Sequence, residues 1–339
     1  MTFTVIHRRM QIHALRRASI AAAVCHATSL MVSSASAAAA DGDYPRKPIR
    51  IIVPSAPSSG PDVVSRLIGA KLTEAWGQQV VADNRAGAAG NIGAEIASRA
   101  APDGYTLLMA NSQHSISSVF YDKLPYDLIR DFSPLCLIST ATYVLVVNPS
   151  VAANSVKELI ALARSSPGTL HYGTGGTGGT PHLAAEMLST MADIKLVHVP
   201  YKSIVYALID VMGGQVQLAF SATAAALPLI KQGKLRALGI TSLKRTPIAS
   251  ELETIAETVP GYEMIGWLGL VAPRGTPEKI VARLNAEINK SLKSTEIRDK
   301  LVAVDFEPKG STPLEFAAFM LAQKEKMRKI VEAAGLRAR

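Results

Sequence analysis

Two stretches of small residues, each placed where a strand should give way to a helix, are where this sequence could do chemistry. The first is Ser55-Ala56-Pro57-Ser58-Ser59-Gly60-Pro61-Asp62. Small side chains let the backbone approach a ligand, and free amides at a helix N-terminus attract an anion through hydrogen bonds and the helix dipole. Pro61 suits the first turn of a helix but removes one amide donor. Ser58, Ser59 and Gly60 are expected to contact a ligand. Ser59 or Asp62 could instead satisfy the helix end, and Asp62 is expected to cap rather than touch an anion.

The second stretch, Gly173-Thr174-Gly175-Gly176-Thr177-Gly178-Gly179-Thr180-Pro181, has the same context. It formally matches G-x-G-x-x-G, with Asp193 about 20 residues on, where a dinucleotide fingerprint wants an acid. A nucleotide-cofactor enzyme is therefore a competing reading. Five glycines in seven residues satisfy such a pattern by composition alone. What survives is an anion-cradling loop, which serves a carboxylate as well as a pyrophosphate. Thr174 through Thr180, including Gly175, Gly176, Thr177, Gly178 and Gly179, form the second candidate contact surface. Ser112 and His114 are expected at the edge of the first half of the site, and Tyr201 and Ser221 at the edge of the second.

Other chemistries find little support. His114, His182 and His198 lack H-x-x-x-H spacing and no C-x-x-C exists, so no metal site is expected. G-x-S-x-G is absent, which argues against a serine hydrolase. No catalytic residue and no cofactor is expected.

The elements that must position these loops alternate between strand and helix, which predicts an α/β fold with mainly parallel sheets. Strands are expected at 49–53, 79–82, 105–110, 143–147, 170–172, 195–199, 218–221, 237–241 and 265–271. Helices are expected at 61–76, 91–100, 155–165, 181–191, 203–212, 277–291, 294–302 and 313–334. Asn148-Pro149 is a turn signal just after 143–147, read as the first crossing between two halves.

The 339 residues fit two lobes plus a removable leader. Arg8, Arg9, Arg16 and Arg17 precede an apolar stretch from Ala18 to Val32 and then small residues ending at Ala40. That order is a secretory signal, with cleavage expected after Ala37 or Ala40 and a periplasmic destination. His26, Thr28 and several serines interrupt the stretch, which falls short of a membrane span. Bulky Val24 argues against lipid attachment at Cys25, Arg16-Arg17 hints at a twin-arginine route that Ala18-Ser19-Ile20 match poorly, and Met10 is an alternative start. The formal charge of +9 falls to +5, 32 basic against 27 acidic residues, once those four arginines are set aside. The remainder is scattered, so nucleic-acid binding is not expected. Cys136 is then the one remaining cysteine, expected as a buried, inert thiol in a monomeric protein.

Many short blocks in one order make the chain resemble the Bug family of extracytoplasmic solute receptors, the binding components of tripartite tricarboxylate transporters. They include Tyr44-Pro-Arg-Lys-Pro-Ile-Arg-Ile-Ile-Val-Pro54, Asn84-Arg-Ala-Gly-Ala-Ala-Gly-Asn-Ile-Gly93, Pro102-Asp-Gly-Tyr-Thr-Leu-Leu108, Lys123-Leu-Pro-Tyr-Asp127 and His198-Val-Pro-Tyr-Lys202. The resemblance implies a type II periplasmic-binding-protein fold with two lobes on a two-strand hinge. The first lobe would comprise 41–145 and 265–339, the second 146–264. It also implies a small carboxylate ligand, a di- or tricarboxylate or aromatic acid, and membrane permease subunits as partners. A sensor role beside a signalling protein is the alternative. Two departures stand out. Ser55, Ser58, Ser59 and Pro61 replace residues of the family loop Phe-Ala-Pro-Gly-Gly-Gly-Thr-Asp, and Phe220-Ser221 stands where Phe-Asp is common. The missing aspartate favours a carboxylate other than an amino acid.

Overall fold

β1 (Ile49–Val53) is apolar along its length, and Ile49, Ile51, Ile52 and Val53 are fully buried, as a central parallel strand covered on both faces requires. The computed structural model describes residues 44–336. The expected leader, with Cys25 and both cleavage positions, lies outside the described residues.

After β1 come α1 (Gly60–Trp76), β2 (Val80–Asn84), α2 (Asn91–Ser98), β3 (Thr106–Asn111), α3 (Ser112–Phe120) and the long β4 (Phe132–Val147). The middle of the chain supplies α4 (Val156–Ser165), β5 (Leu170–Thr174), α5 (Thr180–Ala192), β6 (Leu196–Pro200) and α6 (Ile204–Met212). Next are β7 (Leu218–Ala222), α7 (Thr223–Lys231), β8 (Arg236–Ile240) and α8 (Ile255–Thr258). The chain ends with β9 (Ile265–Pro273), α9 (Glu278–Lys293), α10 (Thr295–Ala303), β10 (Glu307–Pro308) and α11 (Pro313–Ala333).

β4 is the axis of the fold. From Phe132 to Thr142 it pairs antiparallel with β9, which continues through β3 and β1 to β2. From Tyr143 to Val147 it pairs with β7 and β8, and β7 leads on to β5 and β6. The β1–β2, β1–β3, β5–β6 and β5–β7 pairings are all parallel. One strand therefore belongs to two sheets, and the changeover falls between Thr142 and Tyr143. The chain returns beside that point, where Thr241 N–H donates to Tyr143 O at 2.9 Å and Met264 N–H donates to Thr241 O at 2.9 Å.

Among the described residues, three of the apolar cores that pack these sheets draw on β4. One joins Ile52, Leu108, Phe132 and Trp267 with Phe316 and Met320 of α11. A second joins Leu145, Tyr172, Leu183 and Phe220 with Met327, Ile330 and Val331, so α11 contributes to the cores of both sheets. The third lies on the opposite face of the second sheet, around Val144, Val146, Leu208 and Ile240. Thr312 and Glu315 form a reciprocal capping box that fixes the start of α11, and Gly77 at φ +68° ends α1. Cys136 is free and buried, and burial raises its thiol above the ordinary value. No helix among the described residues is long and apolar enough to cross a membrane.

Candidate functional site

A cavity of about 550 Å³ opens between the two sheets, and the N-termini of four helices meet on its wall. α1 brings Gly60 and Pro61, α3 brings Ser112 and Gln113, α5 brings Thr180 and Pro181, and α7 brings Ala224 and Ala225. Each helix start carries partial positive charge from unsatisfied amides. The volume suits a small molecule, for which about 300–1,000 Å³ is usual.

Two of the four starts are stoppered by the protein itself. At α3, Asn111 Oδ1 accepts the Gln113 N–H at 3.0 Å, and His114 Nδ1 accepts the Asn111 N–H at 3.1 Å. At α7, Asp305 Oδ2 accepts the Ala224 N–H at 2.9 Å from a segment 81 residues away. α1 and α5 differ. Their N-cap residues, Ser59 and Gly179, make no side-chain cap, and Pro follows in the first turn of each. The two helix ends left open to a ligand are those that the small-residue loops mark in the sequence.

Loop geometry explains the openness. Ser58 sits at φ +63°, and its N–H donates to Asp62 Oδ2 at 2.9 Å. Asp62 is buried, which raises its carboxyl, but hydrogen bonds from Arg66, the Ser58 amide and Asn84 outweigh burial and hold it below the ordinary value. Ser59 Oγ donates to Ala56 O at 2.7 Å and lies 2.7 Å from Ser55 Oγ. The serine hydroxyl is thus used within the loop, and of this stretch Gly60 and Pro61 line the cavity. A Cβ at Gly60 would stand 2.8 Å from the Phe306 ring, so any larger residue there displaces that ring.

The second loop divides its residues. Gly179 and Thr180 line the main cavity, while Gly175, Gly176, Thr177 and Gly178 face a smaller pocket of about 210 Å³ with Phe120 and Tyr121. Thr174 is buried beneath, its Oγ1 2.7 Å from His198 Nε2. Gly178, at φ +76°, donates its N–H to His182 Nδ1 at 3.0 Å. His182 stacks on His198 with ring centroids 4.1 Å apart, and Tyr172 stacks beyond. Burial first, and the neighbouring His198 second, lower His182 to about 4. The imidazole is therefore neutral at neutral pH, as acceptance by Nδ1 demands.

Ser112 Oγ and Thr180 Oγ1 approach to 3.4 Å across the cavity, and Gln113 Nε2 donates to Gly178 O at 3.1 Å. These contacts join the two jaws. The other expected residues lie elsewhere. His114 is fully buried and serves the start of α3; burial lowers it to about 4. Tyr201 donates its hydroxyl to Asp210 Oδ2 at 2.7 Å, and burial and that carboxylate push it up to about 12. Ser221 is buried in β7, one residue before cavity-lining Ala222. Trp267, Phe306, Tyr143 and Asp305, which supply much of the remaining wall, were not anticipated. They come from distant segments and carry no local motif. Among the described residues, no cluster of three or more His, Cys, Asp or Glu could hold a metal.

The fold and the cavity define a two-sided solute-binding receptor, in which paired helix ends on separate sheets face one cavity. The chain belongs to the tripartite tricarboxylate transporter family receptors, whose model matches residues 64–336. It is 32% identical over 295 residues to protein BugT of Bordetella pertussis, covering 86% of this chain and 90% of that one. Among solved structures, an R. palustris protein with adipate is similar at 36% identity and TM-score 0.75, over 87% of this chain and 99% of the other. MatC from Rhodopseudomonas palustris with bound malate is similar at 28% identity and TM-score 0.70, over 85% and 100%. The expected periplasmic-binding-protein fold is the one found, and the family is one of receptors, not enzymes.

Proposed function

We propose that this chain is an exported receptor that captures a small organic carboxylate between two lobes and delivers it to the membrane permease subunits of a tripartite tricarboxylate transporter. One observation carries the reading: α1 and α5 present N-termini without an N-cap side-chain bond to one cavity, whereas α3 and α7 are stoppered by Asn111 and Asp305. Amides of that kind favour an anion over a neutral guest, and they need no cofactor to do so. The family match and the two similar structures with adipate and malate point to the same ligand class.

The lobes are assigned to 41–145 with 265–339 and to 146–264, hinged where β4 changes sheets. Gly60, Gly179 and Thr180 are the proposed ligand contacts, with Ser112 and Gln113 joining the jaws. Ser58, Ser59, Asp62, Thr174 and Gly178 hold the two loops in shape. Release into the periplasm follows from the leader.

Thermal shift of the purified mature chain against a panel of mono-, di- and tricarboxylates tests the reading. Stabilisation by one class, with none by uncharged analogues of equal size, is the expected result. Equal response to the uncharged analogues would remove the basis for the anion site.

A further inference from the structure

Two residues of the cavity wall each bury a polar atom that has no hydrogen-bond partner: Trp267 at Nε1 and Asp305 at Oδ1. Buried polar atoms are nearly always paired, so an orphan in a binding cavity asks for a ligand. Asp305 is the more informative. It is 6% exposed and sits at φ +68°, a left-handed conformation that L residues adopt at some cost. Its Oδ2 is engaged by the Ala224 amide, while Oδ1 receives nothing. Burial raises its carboxyl above the ordinary value, the backbone amides of Ala224 and Thr223 oppose that shift, and no cation is among these influences. The flanking wall, Val304, Phe306, Trp267 and Leu268, is apolar and screens poorly. Burial raises the Tyr143 phenol, a hydrogen bond with Thr180 opposes that shift, and Asp305 adds to it as a neighbouring negative group.

The cavity is therefore electrically two-sided. The open starts of α1 and α5 favour an anion, and the Asp305 carboxyl disfavours a second one while offering a free acceptor oxygen. We propose that Asp305 is a specificity-determining residue. It selects a small carboxylate that also carries a hydrogen-bond donor, an ammonium or hydroxyl group, over a dicarboxylate of the same length. This inference rests on the carboxylate reading above and narrows it.

The test is calorimetric titration of the mature chain, near neutral pH, with matched four- and six-carbon acids. Each set comprises the simple acid, the dicarboxylate, the terminal hydroxy acid and the terminal amino acid. An amino or hydroxy acid is expected to bind at least about tenfold more tightly than the matching dicarboxylate, the scale of a like charge removed from a poorly screened site. Asp305→Asn keeps the cap on α7 but removes the charge, and should collapse that ratio. Asp305→Gly, which relieves the left-handed backbone, should do the same while the chain stays folded. A dicarboxylate preference in the unaltered chain, or a ratio unmoved in both variants, overturns the role of Asp305. Absence of binding by every acid in both sets instead overturns the carboxylate reading, and the inference with it.

Discussion

Asp62 and His182 hold corresponding places in the two loops. Each is the third residue of its helix, directly after a proline, and each accepts an amide N–H from four residues earlier. Ser58 donates to Asp62 at 2.9 Å and Gly178 to His182 at 3.0 Å, and both donors have left-handed backbones, φ +63° and φ +76°. One backbone shape is thus fixed by a carboxylate on one side of the cavity and by a neutral imidazole on the other.

The imidazole makes the second loop sensitive to acid. His182 and His114 are each lowered to about 4, and burial also lowers His198. A group whose folded value is depressed contributes stability that is complete above its unfolded value, about 6.5 for histidine, and lost as pH falls toward the folded value. The unfolded chain takes up the proton first. The melting temperature should therefore be flat above about pH 6.5 and fall steadily toward pH 4, with a loss of a few kcal/mol. His182→Gln, which keeps an acceptor but does not titrate, should reduce the slope. A melting curve unchanged down to pH 4.5 would contradict the buried neutral imidazoles.

Asp62 should matter to the first loop without touching ligand. Asp62→Ala leaves the Ser58 amide and Asn84 Nδ2 without their carboxylate and frees Arg66. These donors are exposed or half-buried, so each lost hydrogen bond costs about 0.5–1.5 kcal/mol. Denaturation by urea should register that loss, and carboxylate affinity should fall because Gly60 is no longer held at the wall. Asp62→Asn retains one acceptor oxygen and should lose less on both counts.

These two loops were legible because their information is local. Gly60 stands directly before a proline and Gly179 two residues before one, each at a helix start, and a run of small residues precedes each. Asp62 was expected to cap α1, but its carboxylate takes the Ser58 amide, one residue before the N-cap, instead. The starts of α3 and α7 carried no such mark: Ser112-Gln-His-Ser-Ile-Ser-Ser is poor in strong helix formers, and Pro228 lies inside α7. Asp305 meets Ala224 from 81 residues away, a contact that no local pattern encodes. Ser221 illustrates the cost of local reading. The lack of a carboxyl there argued against ligands bearing an ammonium, yet Asp305 brings a carboxyl to the same cavity from the segment between α10 and β10. His114 and Tyr201 have the right chemistry for a ligand, but His114 Nδ1 serves the α3 start, its Nε2 is buried without a partner, and the Tyr201 hydroxyl serves Asp210.

The glycines of the two loops should tolerate substitution unequally. A Cβ at Gly175 would lie 2.9 Å from the backbone nitrogen of Ile204, at the start of α6. A Cβ at Gly60 would lie 2.8 Å from the Phe306 ring, a side chain that can turn aside. Gly175→Ala should therefore destabilise the fold by about 1–3 kcal/mol, the usual cost of overpacking. Gly60→Ala should spare more of the stability but weaken ligand binding, because Phe306 must move into the cavity. Paired measurements of melting temperature and affinity separate the two cases, and equal destabilisation would show that the Phe306 ring is as fixed as backbone.

The contacts joining the jaws differ in strength, and the difference can be measured. Gln113 Nε2 donates to Gly178 O at 3.1 Å, within normal hydrogen-bond range, whereas Ser112 Oγ and Thr180 Oγ1 at 3.4 Å stand near its limit. A typical net hydrogen bond contributes about 0.5–1.5 kcal/mol, which corresponds to at most about a tenfold change in affinity if it favours the closed arrangement. Gln113→Ala should therefore weaken carboxylate binding by up to about tenfold, since the guest must then supply the missing closure energy itself. Ser112→Ala should change affinity by less than about twofold, because a contact at the limit of range adds little. Both variants keep the Asn111 cap on α3, so their melting temperatures without ligand should stay close together. If Ser112→Ala proved the more damaging, its hydroxyl would have to act on the ligand directly, and closure would rest on the open helix ends rather than on Gln113.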